Sequence, residues 1–206
     1  TGAGYTALVL IMLVLFLTAC LLGVNLRKPR FSTKQLVFSA MAIAVAMITS
    51  SIKLYDPPMG GSVTLLSMFF ICLIGYWYGP YAGLLTALSY GFLQLISNPY
   101  IISLPQMLVD YIFAFGALGL SGLFHKAKQG LIKGYLIGVL GRYFFTFLSG
   151  MIFFGVYAAD WNMTAPVYSL LYNGAYIGGE ALLTLIVLAL PPVKKAMGQL
   201  KSMATQ

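Results

Sequence analysis

The stretch SLPQMLVDYIFAFGALGLSGLF, Ser103–Phe124, decides what kind of protein this is. As a helix, its apolar run 105–124 is about 30 Å long at roughly 1.5 Å per residue, which matches the hydrocarbon thickness of a bilayer. Its one charged residue is Asp110, near the start. The rest of the chain repeats the theme. Of 206 residues, 60% are apolar and 8% charged, against about 25% charged in soluble domains. So few charges cannot keep the surface of a small domain wet. The surrounding medium is lipid.

Scanning outward from 105–124 yields further spans at roughly 5–24, 35–52, 64–78, 80–97, 134–157 and 166–190, seven in all. Turn chemistry separates them at Asp56-Pro57-Pro58, Gly79-Pro80, Asn98-Pro99 and Pro191-Pro192. The third span is short and the seventh long, differences that burial or tilt absorbs. The first span has no basic residue before it and Arg27, Lys28, Arg30 and Lys34 after it. That is the reverse of a signal peptide's polarity, so it reads as an anchor.

Charge placement sets the expected topology. Arg27, Lys28, Arg30 and Lys34 follow span one, Lys126, Lys128 and Lys133 follow span five, and Lys194, Lys195 and Lys201 follow span seven. The alternate connections carry only Lys53 with Asp56, nothing, and Asp160. The positive-inside rule makes the basic side cytoplasmic, with the N-terminus outside and the C-terminus inside. The net charge of +8 therefore reports orientation rather than binding to nucleic acid. The division expected is 1–30, an extra transmembrane helix with its basic linker, and 31–206, a membrane domain.

Three ionisable residues lie within spans, where each costs several kcal/mol unless partnered or used. Arg142 and Glu180 sit about 12 Å and 15 Å from the cytoplasmic ends of their spans at ~1.5 Å per residue. Their matching depths predict a structural ion pair. Asp110 lies about 7 Å below the outer end of its span, with no cation at its level. It is either a carboxyl bonded to a neighbouring helix or protonated by burial, or an anion awaiting a ligand's cation. Tyr168, Asn173, Phe154, Tyr157 and Thr146 reach similar or slightly greater depths. A carboxylate, an amide, phenols and ring faces together suit a cationic heteroaromatic ligand.

Several chemistries are excluded. Cys20 and Cys72 have no metal-ligand spacing. The only histidine, His125, lies in a basic connection away from the outer site. There is no P-loop, and a lone Asp110 cannot supply the paired aspartates of an intramembrane protease. No enzyme, cofactor or metal site is expected. Small residues repeat at four: Gly75/Gly79/Gly83 and Gly130/Gly134/Gly138 are expected to pack within the chain, and Ala40/Ala44 and Ala42/Ala46 either within it or on another membrane subunit.

Five segments together resemble one family: Gly60–Leu65; Gly79–Thr86; Pro105-Gln106 through Asp110-Tyr111; Ser149–Phe154; and Tyr168–Asn173. The chain is similar to the thiamine-specific substrate-binding subunits (S components) of energy-coupling factor (ECF) vitamin transporters, the YuaJ/ThiT family, over about 35–190. The resemblance implies an all-α integral membrane fold, a six-helix bundle, here with one extra N-terminal helix. It implies an outward pocket capped by the loop 53–63. It places ligand contacts on Asp110, Tyr111, Tyr168 and Asn173, with Gln106 in the same motif. Well-known members have His where this chain has Thr146, Trp at Phe154 and often Glu at Asp110, so thiamine or a close pyrimidine or thiazole relative is the expected ligand. The Ala40/Ala44 face is implied to dock on a transmembrane coupling subunit driven by two ATPases. The alternative from another class is a stand-alone, proton-coupled secondary transporter, with Asp110 or the Arg142–Glu180 pair carrying the proton.

Overall fold

The computed structural model describes residues 31–205 and, before them, only Ile11. The expected first span, 5–24, and the 1–30 segment containing it lie outside the described residues apart from that one. Six helices follow the six remaining spans: α1 (Thr33–Ser50), α2 (Ser67–Tyr78), α3 (Pro80–Ser97), α4 (Leu104–Phe124), α5 (Gly130–Phe153) and α6 (Ala165–Ala189). A seventh, α7 (Pro191–Thr205), occupies the basic stretch after span seven. Between α1 and α2 runs a small antiparallel hairpin, β1 (Lys53–Tyr55) and β2 (Val63–Thr64), pairing Lys53 with Thr64 and Tyr55 with Val63.

Local chemistry explains most helix starts. Ser32 and Gln35 form a reciprocal capping box at α1, each side chain bonded to the other's backbone amide at 3.2 Å. Ser103 Oγ accepts from the Gln106 amide at 3.3 Å, with Pro105 in the first turn of α4. The start of α2 is different. Leu66 precedes it in the left-handed conformation and offers no side-chain cap.

The core forms around α2, whose residues Ser67–Phe69 and Ile71–Gly75 are all buried. This explains why the span is only 12 residues long: it is wrapped by α1, α3, α4 and α5 and has little lipid to face. Glycines at the crossings permit the close approach; a Cβ on Gly83 would sit 2.7 Å from the Gly75 Cα. Large apolar side chains such as Leu36, Ile48, Ile96, Leu140, Leu182 and Ile186 point outward, as lipid-facing surfaces require. Ala42 and Ala46 turn inward, Ala46 being fully buried, whereas Ala40 and Ala44 are exposed.

One end of the bundle is closed by α7, which docks through the Lys201 ammonium, 4.1 Å from the Tyr76 ring centroid, and through Tyr78 Oη donating to Ala204 O at 3.0 Å. The hairpin, the 98–103 loop and the 3₁₀ turn Gly155–Trp161 gather at the other end, and a cavity opens there.

Candidate ligand pocket

Asp110 stands on a local widening of its helix. Residues Leu108–Phe113 form a π-helical turn within α4, preceded by α-helix and followed by α- and 3₁₀-helix. Such insertions re-aim side chains and are frequent at functional sites. Gly91 on α3 makes room: a Cβ there would collide with the carbonyl oxygen of Tyr111. The π turn therefore rests on a glycine of the neighbouring helix.

Gln106, one turn before Asp110, has three bonds. Its Nε2 donates to Asp110 Oδ2 at 2.6 Å and to Tyr100 O at 3.1 Å, while its Oε1 accepts from the Ile102 amide at 3.1 Å. The side chain thus aims the carboxylate and pins the 98–103 loop. Tyr111 holds the same loop, donating to Asn98 O at 3.1 Å and accepting from the Tyr100 amide at 2.7 Å. Its phenol is engaged, leaving the ring as its free surface. Phe154 stacks on Tyr100 at 5.8 Å between centroids. A hydrogen bond with Tyr157, aided by partial burial, pushes the Tyr100 phenol above its ordinary pKa.

Asn173 lies on the opposite wall with its amide oriented. Nδ2 donates to Ser169 O at 2.9 Å, and Oδ1 accepts from Tyr176 Oη at 2.9 Å. Tyr168 and Asn173 are five residues apart, about 140° around a helix at 100° per residue. Both nevertheless line the cavity without any loosening of α6, because the cavity is broad. Thr146 also lines it, its hydroxyl turned back to Arg142 O and Tyr143 O at 3.1 Å. All seven residues expected at the ligand site, Gln106, Asp110, Tyr111, Thr146, Phe154, Tyr168 and Asn173, therefore border one cavity. Tyr90, Tyr100, Tyr172 and Tyr176 border it as well. Sequence reading missed Tyr90, Tyr172 and Tyr176 because a tyrosine in an apolar helix looks like core or interfacial belt, and Tyr100 because it lies in a connection between spans.

The Arg142–Glu180 ion pair is not formed. The Glu180 carboxylate is taken by Met68 N at 2.9 Å, Thr64 N at 3.3 Å, Thr64 Oγ1 at 2.5 Å and Ser67 Oγ at 3.2 Å. It supplies from α6 the N-terminal cap that α2 lacks. Arg142 instead lies over the Phe115 ring, 4.2 Å from the centroid, and its Nε has no hydrogen-bond partner among the described residues. Matching depth was a poor guide because it says nothing about the direction in which a side chain leaves its helix. Depth also misjudged the surroundings of Asp110, since Arg142 borders the same cavity. It is not an ion-pair partner: among the described residues the one salt bridge is Lys53–Asp56, 3.0 Å apart in the hairpin.

The family model described as thiamine transporter protein (Thia_YuaJ) matches residues 36–199. The thiamine transporter ThiT of Bacillus subtilis (strain 168) is 36% identical over 180 residues, covering 77% of this chain and 91% of the relative. ThiT of Lacticaseibacillus paracasei is 35% identical over 95 residues, 40% of this chain and 47% of the relative. A solved structure of ThiT from Listeria monocytogenes superposes with a TM-score of 0.65 at 30% identity, covering 75% of this chain and 90% of that one.

Proposed function

The chain belongs to the thiamine transporter protein family, Thia_YuaJ, and from that premise we propose that it captures thiamine, or a close pyrimidine or thiazole relative, from outside the cell. It is a multi-pass membrane protein, and its action is binding rather than bond chemistry. Asp110 pairs with the ligand's cation or amino group. Tyr111 and Phe154 present ring faces, Tyr168 and Asn173 bond the edge of the pyrimidine, and Thr146 stands in the inner wall. Gln106 acts by holding the carboxylate on target.

The observation that carries this reading is the state of Asp110. Its carboxylate borders the cavity, takes a hydrogen bond from Gln106, and has no cationic partner within 4.0 Å among the described residues. A simple charge count points the same way. Asp110 and Glu180 contribute two negative charges to the cavity wall and Arg142 one positive; Lys53, at the rim, is neutralised by Asp56. One unit of negative charge is left for a monocation such as thiamine to balance, and the low dielectric of a membrane interior makes that balance valuable.

The reading extends to the assembly. The outward-facing Ala40 and Ala44 offer a small-residue strip for close packing on an ECF transmembrane coupling subunit, which two ATPases would drive. The cavity end faces outside and the lysine-bearing end, with Lys126–Lys133 and α7, faces the cytoplasm. Residues 31–206 are the substrate-binding membrane domain.

Mass spectrometry of small molecules that co-purify with the protein, followed by calorimetric titration with thiamine, tests the reading. Recovery of thiamine or a relative is expected. No binding of thiamine or of its pyrimidine and thiazole halves would overturn it. Uptake into vesicles holding this chain alone, abolished by an uncoupler, would instead establish the proton-coupled alternative.

A further inference from the structure

The segment from Pro58 to Met68 lies lengthwise along α6, and its contacts recur at every fourth residue of that helix. Tyr168 Oη donates to Met59 Sδ at 3.7 Å. Tyr172 Oη accepts from the Gly61 amide at 3.2 Å and donates to Pro58 O. The Tyr176 ring is so close to Gly61 that a Cβ there would lie 2.7 Å from it. Glu180 takes the four bonds from Thr64, Ser67 and Met68 described above. Positions four apart share one helix face, so this is a single stripe gripping the segment that covers the cavity.

The two ends of the grip are unequal. At Glu180 a buried carboxylate holds two backbone amides and two hydroxyls. At the tip, a phenol holds one amide and one carbonyl in a partly exposed setting. The tip is also strained: Met59 has a φ of 74°, a left-handed conformation disfavoured for a residue with a Cβ. Such a conformation persists only when its surroundings enforce it. The weakly held, strained end is the end that can lift, and the Glu180 end is the hinge.

We infer that Tyr172 is the bolt of this cover: its hydroxyl, by bridging Pro58 O and the Gly61 amide, sets how fast ligand enters and leaves the cavity. Tyr172 is a positioning residue and acts through the cover. The inference rests on the reading of the cavity as the ligand site, but the state of the cover can be measured without ligand.

The test is Tyr172→Phe in the full-length protein. The phenyl ring keeps its stack on Tyr168, 5.7 Å between centroids, so the variant loses the hydroxyl and little else. Two hydrogen bonds of ordinary strength are removed. In ligand-free protein, hydrogen exchange at the Gly61 amide should rise roughly tenfold, while amides of α2 beside Glu180 stay protected. Release of labelled thiamine should also quicken roughly tenfold, with association accelerated too, so that Kd moves less than the off-rate. Unchanged Gly61 exchange overturns the bolt whether or not thiamine is the ligand. Faster Gly61 exchange with unchanged release shows that the cover does not govern exit and overturns the inference equally. Failure of wild-type protein to bind thiamine, with Gly61 exchange still faster in the variant, would sink the ligand reading and leave the bolt standing.

Discussion

Replacing Asp110 by Asn isolates the charge on which the ligand reading depends. The variant is nearly isosteric, and an Asn oxygen can still accept from Gln106 Nε2, now 2.6 Å from the carboxylate. The loss is confined to the negative charge offered to the cavity. With it gone, the wall carries Glu180 against Arg142 and has no net charge for a cation. A hydrogen bond to a charged group contributes about 1.5–3 kcal/mol, so Kd should rise about 10- to 150-fold, at roughly 1.4 kcal/mol per decade. Calorimetric titration reads this directly, and quenching of Trp161, which is 63% exposed in the Gly155–Trp161 turn, offers a second signal. The comparison should be made at more than one ionic strength, because a buried pair is screened far less than a surface one. Affinity within twofold of wild type at both would remove Asp110 from the ligand contact and, with it, the argument from charge.

Other outcomes follow from the same contacts. Glu180→Ala strands the Thr64 and Met68 amides and removes the cap of α2, so it should cost about 2–4 kcal/mol in a denaturant or thermal melt. A double-mutant cycle of Glu180→Gln with Arg142→Met should give a coupling below about 0.5 kcal/mol, whereas an ion pair would give several times more. Gly91→Ala drives a methyl group into Tyr111 O and should destabilise the protein by about 1–3 kcal/mol while weakening thiamine binding through the displaced Asp110 turn. Ala44→Leu, on the outward strip of α1, should leave thiamine affinity intact in detergent yet abolish uptake in vesicles that also hold the coupling subunits.

Much of the architecture was legible because lipid constrains sequence more tightly than water does. A run of apolar residues must cross the hydrocarbon as a helix, so α1 through α6 begin and end close to the expected limits. The exception is α5, which starts four residues before its expected first residue 134. Gln129 adopts a left-handed conformation (φ 58°) and launches the helix inside the basic connection. The same helix stops at Phe153 rather than 157, because Gly155–Trp161 coils into a 3₁₀ turn. Gathering the site was possible from single residues, since an acid in a span is costly enough to announce itself. The π turn that aims Asp110 left no such mark. Its cause is tertiary, a carbonyl seated against Gly91 of another helix.

The misassigned pair is the more instructive case, because a usable signal was present. Every helix begins with amides that its own ladder cannot satisfy, and a buried helix start must find acceptors elsewhere. Ahead of α2 the chain reads Thr64-Leu65-Leu66, and Leu66 cannot accept a hydrogen bond through its side chain. A capless start in a buried helix demands an acceptor from another element, and Glu180 and Asp110 were the only acids within the later spans. Assigning it to that helix end frees Arg142, which then turns to the Phe115 ring and the cavity. The consequence reaches the ligand. Were Glu180 paired with Arg142, the cover would lose its hinge. As the carboxylate is placed, one side chain both caps α2 and anchors the base of the segment that borders the cavity with Asp110.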